Sequence, residues 1–302
     1  MVNICKLKRL MKRNLIIRTI TGTAFVAVMV FCILWHPLSY AILFAIISAL
    51  TTWEFCTIVN RRLNCQTNRV VTTVASVYLF AAILAFNANI CGSEIFIPYL
   101  LTLVYLLISE LYLKENNTLL NWAFTMMSQL YIALPFALLN TLSFVSAGTT
   151  YGMPGAIYTP VYTLSLFIFL WVGDSAAYCF GSWLGRHRLF PRISPKKSWE
   201  GCIGAFVTAV AVSQLVAVYQ PIIPTDDPLT NHLVWAGLAA TVTIFGTWGD
   251  LVESQLKRKL GIKDSGNILP GHGGMLDRFD SSLIAIPMAV LYIYTINEFM
   301  MK

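Results

Sequence analysis

Long apolar blocks separated by short polar segments set the pattern of this chain. Nine such blocks run at roughly 18–35, 38–59, 70–88, 95–113, 121–146, 160–181, 201–220, 231–252 and 281–300. Each comes near the ~20 residues a helix needs to cross the hydrocarbon core of a bilayer. Inside lipid every backbone N–H and C=O must pair internally, so each block is predicted to be a helix. The expected fold is all-α: a polytopic transmembrane helical bundle of about nine spans. Pro135 lies inside the fifth block, where a missing N–H donor and a bulky ring are expected to kink the helix. Trp35, Trp53, Trp122, Trp183 and Trp235 fall near block ends, where interfacial anchors belong.

Two regions are expected. Residues 1–160 hold five spans. Residues 161–302 hold four spans and the two longest polar segments, near 182–200 and 253–280. Neither an internal repeat nor a low-complexity tract is evident in the sequence, so chemistry on a water-soluble substrate belongs in those two segments.

Composition sharpens the class. Hydrophobic residues make up 57% of the chain and charged residues 12%, against about 25% charged in a soluble domain. A net charge of +7 suggests nucleic acid in a soluble protein. Here the basic residues sit between apolar blocks, so the simpler reading is orientation in an anionic membrane, with no nucleic-acid partner. With the N-terminus in the cytoplasm, every Lys and Arg except Lys302 falls on the inner side. The seven cysteines contain no C-x-x-C pair, which argues against a zinc site and a disulfide framework. The apolar run from Ile20 to Trp35 follows basic residues without a small-residue cleavage pattern. It reads as a retained first span.

Acidic residues inside spans are costly and mark function. Asp174 lies in WVGDSAAYCFG, Asp250 in FGTWGDLVES, and Asp277 and Asp280 in MLDRFDSS. They come from three helices, yet the topology places all four at similar depth on the inner side. Glu54 and Glu110 also approach that face and read as structural partners for a nearby Lys or Arg. Asp250, Glu253, Ser254 and Lys257 share one helical face if the eighth helix continues. The segment GIKDSGNILPGHGGMLDRFD, from Gly261, is too rich in glycine to be a regular helix in its first part. Its glycines would let backbone N–H groups approach phosphate oxygens, and Lys and Arg would neutralise them. Asp277 and Asp280, one helical turn apart, are spaced to hold a divalent ion with Asp250. Mg²⁺ takes oxygen ligands of this kind together with substrate phosphates. In RISPKKSWEG, Pro195 is expected to open a helix after Ser194. Lys196 and Lys197 would either grip phosphate or serve the charge bias.

The run SQLKRKLGIKDSGNILPGHGGMLDRFDS, residues 254 to 281, closely resembles the signature of the CDP-diacylglycerol synthase family, the phosphatidate cytidylyltransferases. Ser254, Lys257-Arg258, Lys263-Asp264, Pro270 to Gly274, Asp277-Arg278 and Asp280 each stand at the family's spacing. GDSAAYCFG from Gly173 and SPKKSWEG from Ser194 are similar to the family upstream. The resemblance covers roughly residues 165 to 285; the first half matches only in being hydrophobic with many spans. It implies transfer of CMP from CTP to phosphatidic acid, giving CDP-diacylglycerol and pyrophosphate, with Mg²⁺ as cofactor. It also implies a homodimer in a bacterial-type inner membrane, with the active site facing the cytoplasm. The family's metal-binding aspartates match Asp250 and Asp277, and its signature lysine matches Lys257; Asp280 as a further ligand follows from spacing.

The expected catalytic set is therefore Asp250, Lys257, Arg258, Asp277, Arg278 and Asp280. The expected substrate-binding set is Asp174, Lys196, Lys197, Ser198, Lys263, Asp264, His272, Gly273 and Gly274. A lipid phosphate is already ionised near neutral pH, so His272 reads as a phosphate donor or loop organiser rather than a base. The alternatives are a CTP-dependent kinase of a polyprenol-type alcohol, which would release CDP, and a transporter of an anionic solute.

Overall fold

The computed structural model describes residues 4–112, 117–146, 156–220, 228–266, 268 and 273–300. Its helices are α1 (Ile4–Trp35), α2 (Pro37–Leu63), α3 (Arg69–Asn87), α4 (Ile97–Ser109), α5 (Thr118–Ser128), α6 (Leu134–Ser143), α7 (Pro160–Trp183), α8 (Trp199–Tyr219), α9 (Pro228–Lys259), the short α10 (Leu276–Phe279) and α11 (Ser282–Met300). Two antiparallel strand pairs accompany them among the described residues. Strand β1 (Phe144–Ser146) pairs with β2 (Ala156–Tyr158), and β3 (Arg188–Phe190) pairs with β4 (Ser194–Ser198).

Eight helices among the described residues are long and apolar enough to cross a membrane. The chain is an integral multi-pass membrane protein of all-α architecture. The first expected span corresponds to α1, whose apolar stretch, Thr19–Trp35, is shorter than the other eight. Large side chains such as Leu100, Leu101, Val207, Leu215 and Leu291 are exposed on the outer helix faces, where lipid is their natural solvent.

The fifth span departs from a regular helix where Pro135 disturbs it. A π-helical turn, Gln129–Ala133, joins α5 to α6, and Pro135 sits in the first turn of α6. A proline there cannot donate to the carbonyl four residues back, and the wide turn takes up the mismatch. The helix expected after Ser194 starts later. Ser194–Ser198 is the strand β4, and α8 begins at Trp199 with Ser198 as N-cap, its Oγ accepting the Gly201 N–H at 3.2 Å. Ser198 offers a capping oxygen, whereas Pro195 sits harmlessly in a two-stranded edge.

In lipid, helices associate through close packing and buried polar contacts, because the surroundings are as apolar as the helix faces. A Cβ on Gly204 would strike the Phe180 ring, and one on Gly201 would come within 2.8 Å of the Ala177 carbonyl. These glycines let α7 and α8 approach. A Cβ on Gly249 would lie 2.7 Å from the Asp280 carbonyl and 2.8 Å from that of Ser281. Gly249 thus lets α9 touch the chain at the start of α11 and brings Asp250 beside Asp280.

Candidate active site

Five helices, α1, α7, α8, α9 and the short α10, together with strand β4 line a cavity of about 490 Å³. Asp174 comes from α7, Lys196 and Lys197 from β4, Asp250 from α9, and Asp277, Arg278 and Asp280 from α10 and the residue after it. The first helix closes one side with Gly22, Phe25 and Val26. The four aspartates expected to converge from separate stretches therefore line one cleft.

Phe279 fixes the short acidic helix. Its ring meets Phe136 at 5.2 Å, Phe25 at 5.9 Å and Phe167 at 6.1 Å, each edge to face. Three helices thus hold the residue between Arg278 and Asp280, and the neighbours on either side face the cleft.

The charges are arranged in pairs. Lys197 Nζ lies 2.5 Å from Asp250 Oδ2, and Ser254 Oγ donates to Asp250 Oδ1 at 3.1 Å. Lys257 Nζ bridges Glu253 Oε2 and Asp277 Oδ1, each at 2.8 Å. The second oxygen of Asp277 accepts the Ser265 N–H at 2.8 Å and the Gly274 N–H at 2.9 Å. Asp174 stands close enough to Asp250, Lys197 and Arg278 to feel their charges. Asp280 stands near Asp250, Glu253 and Asp174. Among the described residues neither Asp174 nor Asp280 has an ion-pair partner.

That surplus of negative charge bears on a metal. No three Asp, Glu, His or Cys side chains among the described residues gather into a coordinating cluster. The donor set is nonetheless all oxygen, and Asp174 and Asp280 form no ion pair among the described residues. This fits Mg²⁺, which commonly takes one or two carboxylates and completes its shell with phosphates and water. Both oxygens of Asp250 are engaged, by Lys197 and Ser254, and both of Asp277, by Lys257 and two backbone N–H groups, whereas Asp280 has no cation to release among the described residues.

The remaining expected residues divide. Lys196 and Ser198 line the cavity, although Ser198 is buried and spends its hydroxyl as a cap. Lys257 lies behind the cleft wall, holding Asp277 from the rear. Arg258 points away, its Nε reaching the Ile193 carbonyl at 3.5 Å, and so ties α9 to the hairpin. Lys263 and Asp264 are exposed and are absent from the cavity wall. His272 lies outside the described residues. The glycine loop was expected to aim its N–H groups at phosphate. Those of Gly274 and Met275 point inward instead, onto Asp277 and Glu54. Gly273 has φ +87°, and a Cβ there would approach Asp277 Oδ2 to 2.5 Å.

Among the described residues, Glu54 and Glu110 pair with neither Lys nor Arg. Asn121 Nδ2 donates to Glu110 at 2.8 Å, and Glu54 binds Ser265 and Met275 of the signature loop. Burial explains the choice: a bundle interior supplies hydroxyl, amide and backbone donors more readily than charged side chains.

The cytidylyltransferase family pattern matches residues 16–296. A phosphatidate cytidylyltransferase of Staphylococcus haemolyticus is 37% identical over 199 residues, covering 65% of this chain and 68% of that protein. One of Staphylococcus aureus is 33% identical over 216 residues, covering 71% and 76%.

Proposed function

The chain belongs to the cytidylyltransferase family, and on that premise we propose that its cleft transfers CMP from CTP to phosphatidic acid. A phosphate oxygen of the lipid attacks the α-phosphorus of CTP. The new P–O bond forms as the bond to the departing pyrophosphate breaks, and CDP-diacylglycerol results. The observation that carries this reading is the cleft itself, where Asp174, Asp250 and Asp280 face Lys197 and Arg278 at the polar ends of apolar helices.

Both reactants are anions, so their mutual repulsion is the main obstacle. Lys196, Lys197 and Arg278 supply positive charge where phosphates enter, and fixed charges in a dry, preorganised site stabilise a transition state effectively. Lys197 gives up Asp250 when a phosphate arrives. Lys257 keeps Asp277 in place from behind. No general base is required, because the attacking phosphate is already ionised.

We also propose Mg²⁺ as cofactor, held by Asp250 and Asp280, with Asp277 joining if it releases Lys257. When bound, the ion neutralises phosphate oxygens. The positive-inside bias supports a cleft facing the cytoplasm of a bacterial-type plasma membrane. The signature's resemblance supports a homodimer.

The test supplies purified protein with labelled CTP, phosphatidic acid and Mg²⁺. A nucleotide-bearing lipid and free pyrophosphate are expected. No nucleotide-bearing lipid from phosphatidic acid, with CDP and a phosphorylated alcohol formed when a polyprenol-type alcohol is supplied in its place, would identify a kinase and overturn the proposal.

A further inference from the structure

We propose that Glu54, far from the signature in sequence, is a positioning residue for the reaction. It acts by clamping the signature loop onto Asp277, and this rests on the cytidylyl-transfer reading above. Glu54 lies on α2 and is only 6% exposed. One of its oxygens accepts the Ser265 hydroxyl, and the other accepts the Met275 N–H at 2.8 Å.

Asp277 grips the same two points from the other side. It takes the N–H of Ser265 and that of Gly274. The loop between Ser265 and Met275 is therefore pinned at both ends by two carboxylates, one from each half of the chain. Ser265 serves both, its hydroxyl for Glu54 and its N–H for Asp277. The glycines of the signature acquire a reason from this clamp. A Cβ on Gly266 would come within 3.0 Å of the Glu54 carboxyl carbon, and one on Gly274 would overlap Glu54 and Ser265.

The consequence for catalysis runs through Asp277. With Ser265 and Gly274 fixed, Asp277 has one oxygen held and the other turned to Lys257. Without Glu54, the two loop ends are held by Asp277 alone, and Asp277, Arg278 and Asp280 lose a common support. Small displacements at a reacting centre are costly, on the order of 100-fold in rate for about 1 Å.

The experiment compares Glu54→Ala and Glu54→Gln in the full-length protein in lipid nanodiscs. Glu54→Ala should lower kcat on the order of 100-fold with KM for CTP changed less than about threefold. Glu54→Gln keeps an acceptor for Met275 and should retain kcat within about fivefold. Amide exchange in the segment around 265–276 should rise in Glu54→Ala and stay near wild type in Glu54→Gln, with the other helices unchanged in both. Wild-type kcat in Glu54→Ala, or unchanged exchange in that segment, would overturn the clamp. A fall in kcat matched by protection lost across every helix would reduce Glu54 to a residue of general stability. The exchange measurement needs no substrate, so a failure of the cytidylyl-transfer reading would be seen separately.

Discussion

The two halves of this bundle bury polar groups in opposite ways. In the first half, most buried polar side chains are uncharged and satisfy one another or a backbone carbonyl. Ser48 and Ser76 pair at 2.7 Å, Thr52 donates to Ser76 at 2.9 Å, Gln129 donates to the Thr72 carbonyl at 3.0 Å, and Asn140 donates to that of Phe80 at 3.0 Å. In the second half part-buried charged groups pair around the cleft: Lys197 with Asp250 across elements, and Lys257 with Glu253 on its own helix and with Asp277 on α10. Neutral pairs have nothing to exchange with a phosphate, so they serve as adhesive between helices. Ion pairs beside a cleft can trade one partner for a substrate or a metal. Chemistry therefore lies where charge is paired and accessible, and Glu54 is where the first half reaches into it.

The sharpest way to break this contrast is Asp277→Asn. The amide still offers an acceptor to Ser265 and Gly274 but removes the negative charge facing Lys257. Turnover should fall about 1,000-fold or more, the scale of losing a principal electrostatic group, while folding and membrane insertion persist. Near-normal CTP-dependent activity in a lipid-product assay would show that the paired charges of the second half are adhesive too.

Lys257→Ala comes next. It should lower kcat on the order of 100-fold, with less change in lipid binding. Glu253 has a side chain that is 0% exposed, and the substitution strands it without a cation. Breaking a buried pair from one side costs about 3–5 kcal/mol, so thermal stability should fall as well. Adding Glu253→Gln to the same chain should restore much of the melting temperature without restoring turnover. Equal recovery of both would mean that Lys257 matters only for packing.

Much of this contrast was legible in the sequence. Blocks of apolar residues announce spans because lipid tolerates no unpaired backbone, and the four aspartates stood out as charges inside apolar runs. Their convergence followed once the helices were laid in order. Three features were hidden, each for a physical reason. The partners of Glu54 are a hydroxyl and a backbone N–H more than 200 positions away, and no local pattern encodes such a contact. The β3–β4 hairpin competes with a helix start at Pro195, and Ser198 decides it as a cap. Lys263, Asp264 and Arg258 sit in the most distinctive motif, yet exposure puts them off the cavity wall. A motif reports that residues matter together; it does not say which face the cleft.

The smallest expected effect probes the quiet half. Ser76 accepts from Thr52 and shares a hydrogen bond with Ser48, all three fully buried. Ser76→Ala leaves two hydroxyls without this partner, but each sits on a helix where a carbonyl one turn back is available. Polar contacts between membrane helices average about 0.6 kcal/mol, because the separated helices also find partners. The loss should therefore be about 1 kcal/mol in an unfolding titration, with kcat and KM within about twofold of wild type. A tenfold fall in kcat from so distant and neutral a site would mean that the first half transmits more to the cleft than the loop held by Glu54, and the division drawn between the halves would fail.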